Sequence, residues 1–211
     1  MGKNIYSLVL SEEVIRAIDA RAHRMGTNRS ALIDEILADY VSVSTAEGMV
    51  RRVLGDMSRL LADRGVLIPH WAPGGRSISL KSSLDYKYRP TVKYEVTLGR
   101  QGGTVGELSV TFRTQSVPLL AAMTDFFRLW CRVEEAVLPP ALYHSIGYGL
   151  SDGRFVRTLH IPDGAEAVAE TICAYVELMD RTMKAYLGGH LTPTDVGIEY
   201  ESAKRRATFL L

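Results

Sequence analysis

The sequence predicts an α+β protein, with a β-α-α module at the N-terminus followed by antiparallel strands with long helices on one face. Three observations lead there. Between Ile78 and Leu98, and again from Leu108 to Phe112, the large apolar residues all hold even positions, the period of a strand with one buried and one wet face. Elsewhere they recur at helical spacing over long stretches. Turn residues (Gly26, Gly65, the glycines of 99–103, Pro139-Pro140, Asp152-Gly153, Gly188-Gly189) separate these runs.

Composition sets the bounds. The chain has 211 residues, 46% hydrophobic and 23% charged, with a net charge of +1. That is the profile of a globular protein with room for a small module plus one larger domain. The balanced charge makes no global case for nucleic acid. No apolar run approaches the roughly 20 residues a membrane span needs. Met1-Gly2-Lys3-Asn4 leads directly into the first strand, with no room for a signal peptide, so a cytoplasmic location is expected. Cys131 and Cys173 fall in helical patterns and read as reduced thiols.

The N-terminal segment begins with KNIYSLVL, in which Asn4, Tyr6, Leu8 and Leu10 share one strand face. Ser11 stands at an N-cap, with Glu12 and Glu13 in the first turn at the positive end of the helix dipole. Val14, Ile15, Ile18, Ala22 and Met25 form the helical stripe that Gly26 ends. Thr27 or Asn28 then caps a second helix carrying Leu32, Ile33, Ile36, Leu37 and Tyr40. One strand and two helices bury too little surface to fold alone. The segment needs a partner, and a second copy of the chain is the expected one.

The run Leu10-Ser11-Glu12-Glu13-Val14-Ile15, with Ile18-Asp19, Gly26 and Arg29-Ser30-Ala31-Leu32-Ile33, resembles the ribbon-helix-helix family of DNA-binding proteins, the Arc, MetJ and CopG type. The resemblance covers residues 3–42. It implies a homodimer whose two strands pair antiparallel and enter the major groove of double-stranded DNA. By position it implies base-facing Lys3, Ile5, Ser7 and Val9, and a phosphate-facing helix start at Asn28, Arg29 and Ser30. The chain departs from the family in two respects. Ile5 and Val9 offer only apolar contact where base reading needs donors and acceptors. The segment also carries five Lys and Arg against six Asp and Glu, whereas DNA-binding modules are usually basic.

Residues 45–76 read as a connecting helix and loop. Thr45 caps a helix striped by Met49, Val50, Val53, Leu54, Met57, Leu60 and Leu61, and Pro69 to Gly75 reads as loop. Residues 77–211 read as the α+β domain. Its strands run from Ile78, through 108–112, and through His144, Ile146, Tyr148 and Leu150 to a return strand with Phe155, Leu159 and Ile161. Asp152-Gly153 is the two-residue turn of that hairpin, so Ser151 should pair with Arg154 and Leu150 with Phe155. Long helices follow at 116–138 and from Asp163 to Tyr186, and a last one runs from Thr192 to about Phe209. The two long helices align at a shift of 49, Leu129 on Leu178 and Arg132 on Arg181, which suggests a duplicated hairpin-helix unit. The expected sheet has four or five strands, covered by the two long helices.

No chemistry-bearing motif stands out. His23, His70, His144, His160 and His190 lack metal-ligand spacing, and no metal or cofactor is expected. No phosphate-binding loop, nucleophile elbow or zinc-peptidase helix is present, and Glu134-Glu135 reads as a solvated face, so an enzyme is not expected. Lys81, Lys87, Arg89 and Lys93 form an outward row that reads as a solvated strand face or a second basic surface. The expected function is that of a homodimeric transcriptional regulator, of dimer or higher order, whose residues 1–44 bind DNA and whose residues 77–211 sense a signal or build assemblies. The alternative is a cytoplasmic scaffold that uses residues 1–44 only to dimerise.

Overall fold

The computed structural model describes residues 5–41, 46–65, 67–71, 76–85, 89–99, 106–151, 153–160 and 168–206. Among these it has seven helices and six strands, an α+β arrangement with one antiparallel sheet. Helices α1 (Glu12–Arg24) and α2 (Arg29–Tyr40) form the N-terminal hairpin. Helix α3 (Ala46–Arg64) leads into strands β1 (Ile68–Trp71), β2 (Ser77–Ser83), β3 (Thr91–Leu98) and β4 (Gly106–Phe112). Helix α4 (Val117–Val137), the short α5 (Pro140–Tyr143), β5 (Tyr148–Ser151), β6 (Arg154–Leu159), α6 (Val168–Leu187) and α7 (Pro193–Arg206) complete the chain.

The strands lie in the order β1-β2-β3-β4-β6-β5. Hairpin followed by helix therefore occurs twice, as β3-β4-α4 and β5-β6-α6, with β4 and β6 paired where the two units meet. The alternation from Ile78 to Leu98 sorts as the sequence indicates. Ile78, Leu80, Val92, Tyr94 and Val96 are fully buried, while Lys81, Thr91 and Thr97 are exposed. Leu150 pairs with Phe155 and Ser151 with Arg154, as the turn at 152–153 requires. Gly153 takes φ +73, and a Cβ there would stand 2.9 Å from the Phe112 carbonyl oxygen, so both backbone angle and space call for glycine.

Helices α3, α6 and α4 cover the buried face from one edge of the sheet to the other. Leu54, Met57 and Leu61 of α3 are fully buried in the same core as the strands. Tyr94 of β3 donates a 2.9 Å hydrogen bond to Asp180 of α6. Phe127 of α4 stacks on Phe155 at 4.5 Å and on Phe112 at 5.8 Å. Helix α7 packs behind α4 and α6 through Val196, Tyr200 and Ala203. The opposite face of the sheet carries mainly Ser, Thr, Lys and Glu side chains, and none of the described helices covers it.

Several expectations are corrected. The sheet has six strands, because Ile68–Trp71, read as the start of a loop, pairs with β2. Pro69 is compatible with this position since β1 is an edge strand and needs only half of its amides in the ladder. The expected strand from His144 is shortened to Tyr148–Ser151. Pro139-Pro140 ends α4 but also starts α5, because proline suits the first turn of a helix, and His144 caps its end. Helix α3 joins the two expected helices in covering the sheet, while α7 forms a further layer on α4 and α6. Thr45, residues 72–75, 100–105, Asp152, Ile161, 163–167 and Phe209 lie outside the described residues.

Glu134 is the largest correction. It is completely buried. Its Oε1 accepts hydrogen bonds from the hydroxyls of Tyr175 at 2.7 Å and Tyr200 at 2.9 Å, and its Oε2 from Tyr148 and from Arg157 Nε at 2.9 Å. Arg157 is itself only 1% exposed and lies 4.7 Å from the centre of the Tyr175 ring. Trp130 Nε1 donates to the Tyr175 hydroxyl at 2.9 Å. Five elements (α4, α6, α7, β5 and β6) are tied through this one carboxylate.

Two outcomes follow for stability. Glu134→Ala removes the countercharge of a buried guanidinium and is expected to cost about 3–5 kcal/mol. The apolar pair Glu134→Leu with Arg157→Met should recover part of that loss in a urea titration. Burial, and then the neighbouring carboxylates, raise the thiol of Cys131 to about 11 and that of Cys173 to about 12, and push the Tyr200 hydroxyl upward in the same way. The folded state holds these protons where the unfolded chain releases them. Their contribution is complete below the ordinary thiol value of 9.0 and is lost as pH rises towards 12, so melting temperature should fall across that window.

Candidate nucleic-acid interface

The N-terminal hairpin is built by local capping. Ser11 Oγ accepts from the Val14 amide at 3.4 Å, and Glu12 and Glu13 occupy the first turn of α1. At the other end Gly26 takes φ +62. Its amide bonds to the His23 carbonyl at 3.2 Å, and the Thr27 amide bonds to that of Ala22 at 3.0 Å. This is the Schellman ending of a helix, and it turns the chain sharply into α2. Asn28 Oδ1 then accepts from the Ala31 amide at 2.9 Å, which makes Asn28 the N-cap of α2. The amides of Arg29 and Ser30 come before the first helical hydrogen bond and point out of the helix start, where an anion can meet them.

Arg29 is not simply displayed at that start. Its Nε and Nη2 donate to the two carboxylate oxygens of Asp19 at 2.7 and 2.5 Å, a bidentate pair that ties α2 to α1. Both side chains are about half exposed. The hydrogen bond from Arg29 holds the Asp19 carboxyl below its ordinary value of 3.8. The link is therefore complete above that value and is lost as pH falls below it. Asp19 figures in the sequence only as part of the family-like run, and its pairing with Arg29 is not legible there, because a partner ten residues away across a helical hairpin has no fixed spacing to read.

Residues 5–10 lie in no strand and no helix, and all are exposed. Ile5 and Val9 are fully exposed, Tyr6 is 81% exposed and Leu8 57%. The expected first strand, with Tyr6, Leu8 and Leu10 on one face, is therefore not formed: a strand needs another strand to take up its amides and carbonyls, and none of the described residues does so here. The hairpin has a thin core of Ala22, Leu32 and Ala38, and leaves Val14, Ile36, Leu37, Tyr40 and Val41 open. Among the described residues, ten of the fourteen large apolar side chains left exposed lie within 5–41. Apolar exposure on this chain is thus concentrated in one segment and is not scattered singly over the surface.

Of the expected site residues, Asn28, Arg29 and Ser30 stand together at the exposed start of α2. Ile5, Ser7 and Val9 lie on the exposed arm, and Lys3 is outside the described residues. The expected basic row is dispersed. Lys81 on β2 stands opposite Lys93 on β3, on the open face of the sheet. Lys93 pairs with Glu95 at 2.7 Å. Arg89 sits in the connection before β3 with φ +41, and Lys87 is outside the described residues. The row was read as one continuous strand, but the chain turns between Ser83 and Thr91, so its cations fall on different elements.

Among the described residues no three His, Cys, Asp or Glu side chains converge as a metal site, and no helix is long and apolar enough to cross a membrane. Comparison with protein-family models, with curated proteins and with solved structures finds no match to the chain. The geometry of the hairpin itself is the guide to what the interface does. An NMR titration of the Asp19 carboxyl carbon should place its midpoint below 3.8, and Arg29→Ala should return it to the ordinary value. An unchanged midpoint in the variant would show that the pair does not form in solution.

Proposed function

We propose that the protein is a homodimeric DNA-binding regulator of the ribbon-helix-helix type, with residues 5–41 as its reading head and the α+β domain as a sensing or assembly unit. The observation that carries this reading is the concentration of exposed apolar side chains on the arm and hairpin. Two copies related by a twofold axis would pair their arms antiparallel and bury Tyr6, Leu8 and Leu10 over the open faces of α1 and α2. The same pairing turns Ile5, Ser7 and Val9 outward as a two-stranded ribbon of the width that a major groove admits. The start of α2, with its two outward amides and the Ser30 hydroxyl, supports a phosphate contact beside that ribbon.

The second reading is a scaffold in which the same dimer binds no DNA. Two observations favour it: Arg29 is already engaged by Asp19, and the outward ribbon residues are mostly apolar. In the first reading, contact with thymine methyl groups and DNA shape would carry what selectivity there is.

The test combines mass and binding. Sedimentation of the full chain should give a dimer, and Leu8→Asp should give a folded monomer that retains the melting transition of the α+β core. Fluorescence anisotropy with labelled genomic fragments should give binding that weakens steeply with salt in the wild type and is lost in Leu8→Asp. A dimer that binds no fragment even at low salt would leave the scaffold. A well-folded wild-type monomer would overturn both readings.

A further inference from the structure

Helix α3 belongs firmly to the α+β domain. Leu54, Met57 and Leu61 are fully buried in its core. Near the C-terminal end of α3, Arg64 bonds to Glu177 of α6 at 2.7 Å. The Cys173 thiol of α6 also reaches the Met57 carbonyl, at 3.9 Å. Arg51 lies on the same helix, less than one turn before Leu54, but its guanidinium reaches the other way. One end of its fork pairs with Glu35 of α2. The other, Nη2, donates to Thr27 Oγ1 at 3.1 Å. The side chains of Arg51 and Glu35 are each only 17% exposed.

The two anchor points are unequal in their consequences. Glu35 fixes the middle of α2. Thr27 is the residue immediately before Asn28, the N-cap whose side chain holds the Ala31 amide. A planar guanidinium bonded to both at once defines the position and direction of the helix start, which a single flexible contact would not. Asp19 and Arg29 brace the same start from the α1 side. The phosphate-facing turn is thus held from two sides, and one of the two braces comes from the second domain.

We propose that Arg51 is a positioning residue, the strut through which the α+β domain sets the orientation of the α2 start. The strut rests only on geometry. Its consequence for DNA rests on the function proposed above. A preorganised phosphate site loses less entropy on binding, so removing the strut weakens binding without removing any contact to DNA. A change in the α+β domain that shifts α3 reaches the reading head by this route, as an allosteric coupling requires.

The experiment compares the full-length wild type with Arg51→Met, Arg51→Lys and the charge exchange Arg51→Glu with Glu35→Arg. Hydrogen exchange at the Ala31 and Leu32 amides should quicken in Arg51→Met and be partly restored by the exchanged pair. Melting followed by Trp130 fluorescence in a Trp71→Phe background, which reports the core of the α+β domain, should stay close to that of the same background with Arg51 intact. Affinity for a DNA fragment should fall about fivefold in Arg51→Met, a size typical of coupling energies, with an unchanged slope of affinity against salt. A slope reduced by about one would mean that Arg51 touches a phosphate itself and would overturn the positioning role. Unchanged amide exchange in Arg51→Met would overturn the strut outright. Faster amide exchange, in a wild type that binds no DNA, would uphold the strut while the DNA reading fails.

Discussion

A carboxylate removed from water must find its hydrogen bonds inside the protein, and Glu134 finds four. Tyr148, Tyr175, Tyr200 and Arg157 come from β5, α6, α7 and β6 to meet a side chain on α4. No other group among the described residues joins so many elements. Desolvating a charge in this way costs more than an apolar side chain would, and the cost is offset only when every oxygen and every donor is satisfied. The centre therefore admits one arrangement of the surrounding helices. If α7 slides, Glu134 loses the Tyr200 hydrogen bond, and if β6 slips by one residue, Arg157 leaves the centre and the buried carboxylate loses its countercharge. The aromatic stack of Phe112, Phe127 and Phe155 supplies dispersion and apolar burial, but such contacts tolerate small shifts that the ionic centre does not.

The two parts of the chain differ in how they are held. The α+β domain closes over its own core, with α3, α6 and α4 side by side on one face of the sheet. The N-terminal hairpin has little core of its own. It is secured by local devices (the Ser11 and Asn28 caps, the Gly26 ending and the Asp19–Arg29 pair) and by Arg51 reaching across from α3. Such a hairpin is well shaped and poorly covered. Its helices already have their geometry, and what the surface lacks is apolar burial.

Electrostatics moderates the DNA reading without removing it. Two of the cations read as candidate contacts are already paired. Arg29 is engaged by Asp19, and Lys93 on the sheet by Glu95. What remains for an anion at the α2 start is backbone, the amides of Arg29 and Ser30, together with one hydroxyl. Contacts of this sort position a duplex and do not select its sequence.

Much of the fold was legible in the chain. Alternation placed β2, β3, β4 and β6, and helical spacing placed α1 to α4, α6 and α7. The turn at 152–153 set the register of β5 on β6, because each of these signals is local and repeats along the sequence. The caps at Ser11 and Asn28 and the ending at Gly26 were legible for the same reason. The burial of Glu134 and Arg157 was only half written there: Glu134 falls four residues after Trp130 on the inner stripe, and Arg157 falls in phase with Phe155 and Leu159. Periodicity says which face a residue takes, but not that two charges will meet on it. That meeting, the edge strand at Pro69 and the reach of Arg51 to Glu35 and Thr27 were decided by tertiary structure alone. Each joins residues whose separation in sequence carries no period, and only packing brings them within hydrogen-bonding distance.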